Sequence, residues 1–150
     1  MTRSNAREIA CHLVFEMNFN GITAGEALQT LMEESYYPTL KGETDVYEEK
    51  PDGKQLEYLT NVVQGVQAKR EELEGYITKY SVGWSLSRIA RMAVAIMEVC
   101  MYEALYVDDA PISAAINEAV ELTRKYENED VVSFVNGILG GFAHEVQQSC

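Results

Sequence analysis

The sequence predicts an all-α fold, and three observations lead there. Apolar residues return at alternating steps of three and four along most of the chain, the spacing that lines one face of a helix. No segment of strand length alternates apolar with polar residues. At 150 residues the chain has the usual size of one domain, long enough to bury a core without disulfides or a metal.

The elements follow in order. Ser4, just ahead of Ala6-Arg7-Glu8, is placed to cap a first helix whose inner face carries Ile9, Leu13 and Met17, with Phe15 at its edge. Ala24, Ala27, Leu28 and Leu31 cluster on one face of a second helix over 24–35, which Tyr37-Pro38 ends. Residues 36–55 hold two prolines, two glycines and mixed charges without apolar period, and read as a long mobile loop. Leu56, Leu59, Val63, Val66, Leu73, Ile77 and Tyr80 then define a long amphipathic helix, with Arg70 interrupting the seam.

The segment 85–106 is apolar on nearly every side and belongs at the centre of a bundle. Asp108-Asp109-Ala110-Pro111 stops it and starts the next helix, because proline suits a first helical turn and acids favour a helix N-terminus. In that next helix Ile112, Ile116, Ala119, Val120 and Thr123 mark the inner face, leaving Glu118 near the outer side and Asn117 on its flank. A last helix over about 130–146 presents Val131, Val135, Ile138 and Phe142 on one stripe with Phe134 offset, and a loose tail follows from about 147. The expectation is one domain over 1–150.

Composition excludes several function classes. The net charge of −12 repels phosphate backbones on average, so a generic nucleic-acid binder is disfavoured. The acids are unevenly spread: residues 103–130 hold eight acidic and two basic side chains, residues 1–20 two of each. Only a local site would bind phosphate. No apolar run approaches the ~18–20 residues that span a bilayer, and charges interrupt the apolar positions of the N-terminus, which predicts a cytoplasmic protein with no membrane segment. Cys11, Cys100 and Cys150 are odd in number and far apart, and with two histidines they predict neither a disulfide framework nor a metal site.

Catalytic signatures are lacking too. The sequence contains no GxSxG, GxxxxGK[ST] or GxGxxG, no ExxH, and no motif that pairs His12 or His144 with a nucleophile. The glycines of FVNGILGGF follow no strand and read as close helix packing or a helix end. No enzyme and no cofactor are expected.

The C-terminal half, MYEALYVDDAPISAAINEAVELTRKYENEDVVSFVNGIL, resembles the NusB family of transcription antitermination factors: a tyrosine-glutamate helix, a proline turn, an INEAVEL-type helix and an FVNG segment in the family's order and spacing. The opening SNAREIACHLVFEM is similar to the start of that family, so the resemblance covers all but roughly residues 36–55. It implies two small helical bundles packed into one domain, with about six to seven helices. It also implies a non-enzymatic protein that binds boxA-type single-stranded RNA of ribosomal RNA transcripts together with the ribosomal protein NusE, and joins the RNA polymerase elongation complex.

By the same resemblance, Arg3, Ser4 and Arg7 correspond to the family's basic start, and Asp130, Ser133, Phe134 and Asn136 to its RNA-proximal last helix. The arginines would contact phosphate and Phe134 would stack on a base. From spacing alone Arg7 is equally an ion-paired surface residue, Arg3 part of a frayed end and Phe134 part of the core. Asn117 and Glu118 become signature residues with a structural role. Glu98 in place of a family arginine, the thin basic start, and Ser133 where a lysine is common each subtract positive potential. An alternative is therefore an acidic interaction module of this fold that binds NusE or another transcription partner without touching RNA. The long helices also leave room for a homodimer.

Overall fold

The computed structural model describes residues 1–33, 51–81, 89–107 and 111–148. Among them lie six helices and no strand: α1 (Arg3–Asn20), α2 (Ala24–Met32), α3 (Gly53–Tyr80), α4 (Arg91–Tyr106), α5 (Ile112–Tyr126) and α6 (Glu129–Gln148). The all-α prediction holds. The chain divides into two compact units, Met1–Ala68 and Lys69–Cys150, with α3 passing from the first into the second.

In the first unit the cap of α1 is Thr2, not Ser4. The Thr2 side chain accepts from the Asn5 amide at 3.0 Å, so the helix opens two residues earlier than the sequence suggests. Ile9, Leu13 and Met17 are buried as expected, joined by Ala6, Ala10, Cys11 and Val14. Gly21 closes α1 with φ 69°, a left-handed conformation that glycine adopts without strain, and its amide reaches the Met17 carbonyl at 2.9 Å. Two residues later Thr23 and Glu26 form a capping box that starts α2, each side chain taking the other's backbone amide. The Gln67 side chain accepts from the Ala24 amide, tying the start of α2 to α3. The apolar face of α2 is the predicted one, but the helix ends at Met32.

Residues 34–50, most of the expected loop, lie outside the described residues; Pro51 is buried and Gly53–Gln55 already belong to α3.

The second unit is built around α4, where every side chain from Ala93 to Glu103 is buried, as a helix apolar on all sides requires. It packs on α5 and α6, which also pack on each other. Pro111 is the N-cap of α5, and Ala115, Ala119, Leu122 and Thr123 are the buried residues of that helix. Thr123 is satisfied within it, its hydroxyl donating to the Ala119 carbonyl at 2.8 Å.

On α6 the buried stripe is Val132, Val135, Ile138, Leu139 and Phe142; Val131 is only half-buried, which shifts the predicted stripe by one residue at its start. Full burial of each large member contributes about 1.5–3 kcal/mol. Phe142 meets Tyr76 edge to face, with ring centroids 4.9 Å apart. The helix continues through residues 147 and 148, where a loose tail was expected.

Candidate nucleic-acid interface

The seven sequence-predicted residues fall into two groups, one in each unit. Arg3, Ser4 and Arg7 occupy the first two turns of α1. Asp130, Ser133, Phe134 and Asn136 occupy the first two turns of α6.

Arg3 is not part of a frayed end. Its Nε donates to Gln55 Oε1 at 2.9 Å, and its guanidinium carbon lies 4.0 Å over the Tyr58 ring. Tyr58 is 5% exposed, so the ring is a fixed platform. Ser4, relieved of capping duty by Thr2, is exposed. Arg7 is buried, at 9% exposure, beside the equally buried Glu8.

Sequence reasoning missed Gln55 and Tyr58, which lie 52 and 55 positions from Arg3 and have no motif linking them to it. Phe15 is half-buried, at the edge of the core where the sequence placed it. Phe15 stacks on Phe19 with centroids 5.8 Å apart, and Phe19 is the most exposed large hydrophobic residue described.

On α6, Asp130, Ser133 and Asn136 are all exposed and follow one another by three residues, so they share one side of the helix. Phe134 borders that side and is half-buried, neither enclosed in the core nor projecting clear of it. The helix begins under an asparagine cap: Asn128 Oδ1 accepts from the Val131 amide at 3.1 Å. Glu129 and Asp130 fill its first turn, where the helix dipole favours acids but the local potential toward phosphate falls.

The neighbouring cation is already committed. Arg124 donates through Nη1 to Glu121 at 2.6 Å and through Nε to Glu129 at 3.3 Å. The Glu121 charge, with the hydrogen bonds that Arg124 donates to both acids, raises its pKa further.

Glu98 requires a correction. The sequence suggested that it removes positive potential from the binding surface, yet its side chain is 0% exposed in the core of α4. A group sealed from solvent there does not shape a surface that contacts RNA. The other two departures stand where they were expected, Ser133 exposed on α6 and a short basic start on α1. In the helix that carries the INEAVEL resemblance, Asn117 is exposed and Glu118 half-buried, so neither charge nor amide is set inside the apolar face.

Gly141 bears out the reading of the glycine-rich segment as close packing. A Cβ placed on it would stand 2.5 Å from Tyr80 Cδ1, whereas Gly137 and Gly140 face open space. Among the described residues no group of three or more metal-ligating side chains occurs, and no helix is long and apolar enough to cross a membrane.

The sequence profile of the NusB family matches residues 4–144. The transcription antitermination protein NusB of Acetivibrio thermocellus is 37% identical over 140 residues, covering 93% of this chain and 87% of that protein. Among solved structures, T. maritima NusB superposes with a TM-score of 0.79 at 25% identity, covering 97% of this chain and 92% of that one. A chain from a crystal structure of antitermination factors NusB and NusE in complex with dsRNA shares the fold at a TM-score of 0.71 and 20% identity, with 92% of each chain covered. The chain belongs to the NusB family.

Proposed function

We propose that this chain is a transcription antitermination factor that binds boxA-type single-stranded RNA of ribosomal RNA transcripts jointly with the ribosomal protein NusE, and that the pair joins elongating RNA polymerase. It works by binding and not by catalysis, in the cytoplasm. The observation that carries this reading is the family match along nearly the entire chain, together with a relative of substantial identity that is named for transcription antitermination.

The chemistry of the two residue groups is compatible with it. Arg3 and Ser4 offer a cation and a hydroxyl at the start of α1, and Phe134 offers an aromatic edge beside the polar Asp130, Ser133 and Asn136. Unstacked bases are read by aromatic stacking and by polar contacts to their edges, with cations on the backbone. A small helical protein supplies few such contacts, so shared binding with NusE raises both affinity and specificity.

The burial of Arg7 and the pairing of Arg124 favour a second reading, an acidic interaction module that binds NusE or another basic partner without RNA. Salt-dependent binding of a labelled boxA RNA separates the two. The first reading expects affinity to fall with a log–log slope near −0.7 per phosphate contact, and to weaken in Arg3→Glu or Phe134→Ala variants that remain folded. RNA binding that is absent while NusE still binds would establish the second.

A further inference from the structure

Tyr106 is the last residue of α4 and stays 42% exposed. Its hydroxyl donates to both carboxylate oxygens of Glu72 on α3, at 2.8 Å and 3.0 Å. One turn earlier on α4, the buried Tyr102 meets the ring with centroids 5.2 Å apart and supports it from below. One turn earlier on α3, the Lys69 ammonium lies 5.2 Å from the ring centroid. All four residues belong to the second unit.

Glu72 is exposed, and a carboxylate has about four lone-pair sites, so one phenolic proton leaves acceptor capacity facing solvent. Among the described residues no cation forms an ion pair with it, although Lys69 stands three positions away, a spacing that suits one. The lysine lies over the ring instead, near the ~6 Å limit of such contacts, where a better-matched cation displaces it.

Two acceptors for positive charge thus stand side by side, a carboxylate and an aromatic face, held in register by the hydrogen bond between them. An ammonium is a point charge that serves one of them at a time. A guanidinium is planar, and its edge pairs with a carboxylate while its face lies on a ring. Charge selects what can present that group. The chain carries −12 overall, and Glu71 and Glu74 flank Glu72 on α3, so the local field repels an RNA phosphate and attracts a basic protein.

We propose that Glu72 and Tyr106 form a docking site for an arginine of a basic protein partner. The assignment rests on the reading that the chain binds NusE, and adds to it a surface of the second unit that the RNA assignments do not use.

The test titrates labelled NusE with the full chain and its variants, each confirmed as folded by circular dichroism. Glu72→Gln and Tyr106→Leu are each expected to weaken binding by roughly 2–5-fold, the range of an exposed ion pair or cation–π contact. The double variant should lose less than the product of the two, because both residues hold one side chain. Glu71→Gln removes the same charge without touching Tyr106 and should stay close to wild type. Replacing the arginines of NusE by lysine one at a time should find one whose loss weakens binding to the wild-type chain and leaves binding to Glu72→Gln unchanged. Wild-type affinity in both Glu72→Gln and Tyr106→Leu overturns the docking site while NusE binding stands. Equal weakening in Glu71→Gln and Glu72→Gln also overturns it, since diffuse charge then explains the effect. No binding of NusE to the wild-type chain overturns the reading on which the site rests.

Discussion

Gly141 of α6 lies against the ring of Tyr80 at the end of α3, so closely that a methyl group on it would stand 2.5 Å from Cδ1 and 2.9 Å from Cε1. The ring has little freedom to yield, because its hydroxyl donates to Glu145 one turn further along α6. Gly141→Ala is therefore expected to destabilise the fold by about 1–3 kcal/mol through overpacking. Its neighbour gives the opposite sign. Gly140 faces open space in a helix interior, and Gly140→Ala should stabilise by about 0.5–1 kcal/mol by restricting the unfolded chain and favouring helix. Urea midpoints of the two variants should move in opposite directions; a shift of the same sign in both would refute the packing contact.

Glu145 also makes the stability depend on pH. Hydrogen bonds from Lys79, at 2.6 Å, and from Tyr80 hold its carboxyl below the ordinary glutamate value. A depressed carboxylate stabilises the folded state above the ordinary pKa, and that contribution is lost as pH falls through the lowered one. Tyr80 and Lys79 are raised, chiefly by the same hydrogen bonds to Glu145, so their contribution is present below their ordinary values and lost as pH rises through the raised ones. Glu145→Gln should flatten both the acid and the alkaline limb of the stability profile, measured by urea denaturation across pH. The groups are exposed enough that each change will be small. Limbs that keep their full steepness in the variant would mean the triad does not titrate as a unit.

Glu98 separates core from surface. Because its side chain is 0% exposed, Glu98→Arg should leave the salt slope of RNA binding unchanged while costing about 2–4 kcal/mol in stability, the usual penalty for placing a cation where the surroundings were not built to hold one. Stronger RNA binding with a steeper salt dependence would place this position on the interface after all.

The architecture was largely legible in the amino-acid pattern. The helix around Val94, Met97 and Met101 announced itself as central because it offers no polar face, and the structure buries it on every side. Register errors came where two apolar residues compete for one position. Val131 and Val132 are chemically identical, and only the packing of α6 decides that Val132 goes inside. Ser4 and Thr2 are both competent caps, and the chain uses the earlier one.

The Thr23–Glu26 capping box is written in the sequence by its three-residue spacing, a weaker signal than the apolar period around it. The interface was less legible. Burial of Arg7 and Glu98 depends on neighbours distant in the chain, and the grip of Gln55 and Tyr58 on Arg3 joins residues more than fifty positions apart. Periodicity reports which face of a helix turns inward, and it carries no information about what lies opposite.

The account depends most on RNA and NusE sharing one binding unit with this chain, and a closed thermodynamic cycle measures that directly. Labelled boxA RNA is titrated with the protein alone and with the protein saturated by NusE, and labelled NusE is titrated with the protein alone and with the protein saturated by RNA, all at one salt concentration. Joint binding predicts that NusE tightens RNA binding and that RNA tightens NusE binding by the same factor, since coupling free energy is reciprocal. Equal affinities in the paired titrations, with or without the second ligand, would contradict it.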